Sequence, residues 1–208
     1  MISAVRQLIC VFATLCVTAS LLFGAQMASA PFLVDASVGG QTDFTVEIRE
    51  ELPNGSVSSN DVALFDFGNL VRDGQNPMRG AKAFHVFLTT NTSGKPYEIK
   101  TTLSALAKGG GVFLPKAVGI YPLKAAPLSD TSSLAGSVFL SGPTGAVADN
   151  LLIFKSNAAG VASLLELALG ISGGNSDGTL PFPGWEPIPA SQPAGTYSSV
   201  LTYTMSVI

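Results

Sequence analysis

The chain has 208 residues, a formal net charge of −3 and only 12% charged residues. Such a weakly acidic balance carries no electrostatic signature for nucleic acid or an anionic membrane surface. Its 47% hydrophobic content excludes the low-hydrophobicity regime of disordered chains, and its many short apolar runs point to an extracellular β-sandwich.

The first thirty residues read as a secretory signal peptide. Arg6 supplies the positive start, "LICVFATLCVTASLLFGA" the apolar core, and Ala28-Ser29-Ala30 a small-residue cleavage site. The alternative is a membrane anchor, because the apolar run approaches the length of a span. Pro31 just after the cut would hinder the peptidase, which points to a cut a few residues away. Leu15 ahead of Cys16 argues against a lipoprotein site. Both cysteines, Cys10 and Cys16, fall in the leader. The remainder, 31–208, is expected to be one domain, long enough to hold its own core and stabilised by packing alone.

In chain order, "PFLVDASVGGQTDFTVEI" predicts two strands around a Gly39-Gly40 break. Phe32, Val34, Ala36 and Val38 share one parity, and Phe44, Val46 and Ile48 continue it. Residues 52–61 read as a loop with an Asn54-Gly55 turn. "VALFDFGNLV" reads as an aromatic strand broken at Gly68. Strands follow over "KAFHVFLTTN" and "PYEIKTTLSAL", forming a hairpin or joined across the sandwich. Short segments are expected near 118–121, 138–140 and 151–154. "NAAGVASLLELALGISGG" fits a helical stripe and a strand equally well, and the surrounding β pattern favours a strand after one helical turn. "NSDGTLPFPGWEPIPASQP", with five prolines, reads as a surface connection. The chain closes on an alternating strand from Tyr197, with Leu201, Tyr203, Met205 and Val207 on one face.

Signals for catalysis are sparse. His85 is the single histidine, and no motif gives it a nucleophile or an orienting acid. There is no zinc, thiol or phosphate-loop pattern, so neither a metal nor a cofactor is expected. Adjacent Glu50 and Glu51 sit at a strand end, where charges are ordinarily solvated. Asp66 reads as the cap of the Gly68 turn ahead of a ligand contact. "NSDG" is an Asx-Gly turn before it is a calcium loop. Trp185 either covers one end of the sandwich or offers a ligand contact such as a sugar stack.

Several elements fall in a recognisable order: the Phe67-Gly68 strand end, "TNTSGKPYEI", "GGNSDG", and the closing "AGTYSSVLTYTMSVI". This order resembles chaperone–usher pilin-like subunits, of the spore coat protein U-like, archaic or CFA/I fimbrial kind. The N-terminal "VDASVGGQTDFTVEI" resembles their donor-strand-then-first-strand layout. Members of the spore coat U-like group generally carry cysteines, and here none follow the leader.

The resemblance implies an immunoglobulin-like sandwich lacking its last strand, completed by an extension from a neighbour. It implies a non-enzymatic, secreted surface or coat subunit that passes through the periplasm and supports adhesion. Its partners would be identical or related subunits, a periplasmic chaperone and an outer-membrane usher. The donor residues would be Phe32, Val34, Ala36 and Val38, and the acceptor edge Leu201, Tyr203, Met205 and Val207. The rival readings are a monomeric secreted binding module for carbohydrate or a cell-surface ligand, and a small hydrolase built on paired carboxylates.

Overall fold

Strict alternation of apolar residues gives the strands that organise this molecule. Ser163, Leu165, Leu167, Leu169 and Ile171 are all buried along one strand, while the residues between them are half-buried. That is the period-two signature of a strand with one face in a core. The structure, a computed structural model, describes residues 27–30, 43–70, 77–108 and 112–208.

Among the described residues the strands are β1 (Met27–Ala30), β2 (Asp43–Glu51), β3 (Val57–Asp61), β4 (Ala83–Asn91), β5 (Tyr97–Leu103), β6 (Ala107–Lys108), β7 (Val112–Phe113), β8 (Val118–Pro127), β9 (Val138–Phe139), β10 (Thr144–Gly145), β11 (Ala148–Lys155), β12 (Ser163–Ile171) and β13 (Leu201–Val207). No helix occurs among them, so no helix is long and apolar enough to cross a membrane.

Two antiparallel sheets hold most of these strands. One has the order β1-β13-β5-β11-β9, the other β10-β8-β12-β4-β2-β3, and β6 and β7 pair alone. Inward residues of both sheets merge in one core, including Phe44, Val46, Phe84, Leu88, Ile99, Ile153, Leu165, Leu167 and Tyr203. The result is an all-β, sandwich-like arrangement of two layers.

The two sheets are also joined by a buried polar network. Thr90 of β4 donates its hydroxyl to Tyr97 Oη at 2.7 Å, and Ser163 Oγ of β12 lies 2.7 Å from the same oxygen. Tyr97 donates in turn to the Val161 carbonyl at 3.0 Å. Beside this network Gly160 has φ 55, and a Cβ there would lie 2.2 Å from the Lys95 carbonyl oxygen, so only glycine fits.

The structure decides two open readings and departs from three others. Of the two arrangements left open for the strands over 83–91 and 97–103, the connection across the sandwich is the one found: β4 and β5 lie in different sheets. Residues 57–61, expected in a loop, form β3 against β2 after the Asn54-Gly55 turn. The described part of "VALFDFGNLV", residues 62–70, is not a strand. Phe65 and Phe67 leave the sheets, and both rings pack T-shaped with Phe84 at centroid separations of 5.5 Å. The ambiguous run is a strand, as its surroundings favour: β12 is paired on both sides. The proline-rich stretch is more than a surface connection, because Phe182 and Ile188 are buried within it. The Phe182 ring fills the space above Gly119, where a Cβ would come within 2.6 Å of it.

Candidate functional site

The final strand is where local structure and packing set up a possible interaction. Its alternation sends Leu201, Tyr203 and Met205 into the core, while Thr202, Thr204 and Ser206 face outward. Val207 is 46% exposed and Ile208 54% exposed, so the apolar face stops one residue short of the predicted set. One edge of β13 is paired along its whole length with β5, from Leu201 opposite Leu103 to Val207 opposite Tyr97. The backbone N–H of Ile208 then donates to the Pro96 carbonyl at 2.9 Å. These bonds tie down a terminus that would otherwise fray.

The other edge of β13 is covered differently. Its partner is β1, only four residues long, with Met27 opposite Thr204 and Ala30 opposite Leu201. Among the described residues no strand lies beside the outer edge of Met205–Val207. The covering strand also coincides with the segment whose sequence reads as the end of a leader and its cleavage site. Phe32, Val34, Ala36 and Val38, the residues expected to form a donor strand, lie outside the described residues.

Tyr203 adds an electrostatic oddity to the same strand. Its hydroxyl is buried and has no hydrogen-bond partner among the described residues. Burial pushes its phenol far above the ordinary value of 10.0. Desolvation also raises Tyr97, partly countered by its bonds to Ser163 and Thr90, and raises Tyr121, countered by Ser172.

Comparison with known proteins finds no match. No protein-family model, curated protein or solved structure is similar to the chain.

The remaining sequence-predicted candidates are dispersed over the molecule. His85 stands on the outer face of the six-stranded sheet, with Nδ1 2.8 Å from Glu166 and Nε2 3.7 Å from Glu51. It bridges β2, β4 and β12. Glu50 is engaged by Lys82 at 3.0 Å. Asp66 accepts the Gly68 N–H at 2.9 Å, the predicted turn cap. Asp177 is likewise used in a turn: the hydroxyl and amide of Thr179 hold its carboxyl below the usual range. No group of three or more His, Cys, Asp or Glu among the described residues could hold a metal ion. Trp185 is half-buried, with its indole N–H donated to the Ser172 carbonyl at 3.2 Å and its ring against Gly174.

The sequence does not announce β1 as a strand, since its residues serve equally well as a cleavage site. Pairing along β13 is the only signal that finds it.

Proposed function

We propose that the chain is a secreted structural subunit that assembles by strand addition, in the manner of immunoglobulin-like pilins. One observation carries this reading: the outer edge of β13 accepts a strand, and the strand that covers it is the predicted cleavage segment. Removing the leader would strip β1 and leave a row of backbone donors and acceptors unpaired. Such an edge is a template for pairing with another chain. Residues 32–38 of a neighbouring copy would supply the missing strand, placing Phe32, Val34, Ala36 and Val38 toward the core side. Main-chain hydrogen bonds would give affinity and alternate side chains specificity. A periplasmic chaperone and an outer-membrane usher would protect and deliver the open edge until a neighbour fills it.

The test compares the exported chain with a variant lacking residues 31–40, both run unboiled on a denaturing gel. The expected result is a ladder that collapses on boiling and is missing from the truncated variant. A single monomer band for both proteins, made alongside the cognate chaperone and usher, would sink the proposal.

A further inference from the structure

A second site lies at one end of the sandwich. A cavity of about 800 Å³ opens there between the segment 64–70 and the segment 192–199. Its floor is buried and apolar, made by Leu103, Leu106, Leu114, Leu169, Ile171 and Leu201. Interiors are ordinarily close-packed, with few voids larger than a water molecule, so apolar space of this size invites an occupant. Concave, mostly apolar sites of about 300–1,000 Å³ with a few polar groups are the usual form of small-molecule sites.

Charge at the mouth narrows the choice of occupant. Asp66 is exposed there and is the one charged residue of the described lining. One of its oxygens caps Gly68, and the other has no partner among the described residues. Lys108 lies outside the described lining and donates to the Ala194 carbonyl at 2.8 Å. Phe65 and Phe67 flank Asp66 in sequence, with their rings stacked 6.2 Å apart. An apolar wall beside a single carboxylate favours an ammonium head and disfavours an anionic one.

We infer that this cavity binds a single-chain amphiphile, with an alkyl or aryl body on the leucine floor and an ammonium head beside Asp66. The site is separate from the strand-adding edge of β13 and shares only Leu201 with it. It stands whether or not the chain polymerises.

The test uses the exported chain, carrying residues 31–208, and N-phenyl-1-naphthylamine as an uncharged fluorescent probe. Probe fluorescence is expected to rise on binding. Dodecyltrimethylammonium, below its micelle threshold, is expected to displace the probe at about one fifth of the concentration that dodecanoate needs, the ratio worth about 1 kcal/mol of exposed ion pair. Asp66→Asn keeps an oxygen for the Gly68 cap and removes the charge, so it should retain probe binding and erase that preference. Met78→Trp, which places a large ring in the lining, should weaken probe binding, with cooperative thermal unfolding showing that the fold persists. Absence of any fluorescence rise, or equal displacement by both head groups, overturns the inference. Probe binding seen only in the variant lacking 31–40 also overturns it, by assigning the cavity to the chain's own N-terminal segment.

Discussion

β12 and β13 are the same kind of strand by sequence, and they occupy opposite situations. Both alternate and bury every second side chain, β12 along its whole length and β13 as far as Met205. β12 is sealed on both edges, by β4 from Ser163 to Gly170 and by β8 from Ser163 to Ile171. β13 is sealed on one edge by β5, and among the described residues its other edge is covered by β1 from Leu201 to Thr204. Side-chain pattern reports which face of a strand is buried. It says nothing about whether its backbone edge is satisfied, and that edge decides between a strand that only holds the fold and one that can recruit a partner.

The contrast can be broken most forcefully from the β12 side. Leu167 is fully buried at the centre of the larger sheet. Leu167→Ala should cost about 3 kcal/mol of monomer stability in urea unfolding, through lost burial and a cavity. Met205→Ala on β13 should cost about 2 kcal/mol in the isolated monomer. It should also lower polymer yield on the unboiled gel by more than Leu167→Ala does when the two are compared at equal folded fractions. Equal loss of polymer from both would remove the functional distinction between the strands.

A smaller effect is expected at the polar joint between the sheets. Tyr97→Phe deletes the hydroxyl shared by Thr90, Ser163 and the Val161 carbonyl. The expected loss is about 1–2 kcal/mol, since the carbonyl and Thr90 lose a buried partner. Urea midpoints at unchanged slope would measure it.

The smallest change, and one of opposite sign, is expected at Tyr203. An orphaned buried hydroxyl is a cost, so Tyr203→Phe should stabilise the monomer by about 1 kcal/mol. Its pH dependence follows from the raised phenol. The folded chain keeps that proton while the unfolded chain releases it near the ordinary value of 10.0. Stability from this group is therefore complete below the unfolded value and is lost as pH rises toward the folded one. Alkaline unfolding followed by circular dichroism should begin above pH about 10 in the natural chain, and Tyr203→Phe should flatten it. Destabilisation by Tyr203→Phe at neutral pH would show that the hydroxyl has a partner after all.

Much of the fold is legible in the sequence wherever one strand has one wet face. Phe44-Val46-Ile48, Tyr97-Ile99-Thr101-Leu103 and Leu201-Tyr203-Met205 each repeat every second residue and each is buried. The same cue misleads at Phe65 and Phe67, whose parity imitates a strand. Their partner is the ring of Phe84 on β4, and a side-chain contact leaves no period in the backbone pattern. Pro122 conceals the length of β8, because proline ordinarily interrupts a strand. A register shift opposite Glu166 and Leu167 accommodates it. Phe182 and Ile188 hide among prolines, where only tertiary contact reveals them as anchors. The end cavity is less legible still, since segments more than one hundred positions apart close around it and share no motif. The β13 edge is half-legible: its inward face is written in the alternation, and its outer edge depends on a strand that the sequence reads as a leader.

The junction between β5 and β13 also has a mechanical meaning. The seven pairs from Leu201 opposite Leu103 to Val207 opposite Tyr97 lie along one line. A tension applied along that line, as a neighbour in a chain of subunits would apply it, pulls on these bonds sideways and together, so that they must yield at once instead of peeling singly. At the far end the load passes through Tyr97 into Thr90 and Ser163 of the opposite sheet. Both layers then share the strain, and the buried hydroxyl network becomes the rivet that keeps one from sliding over the other.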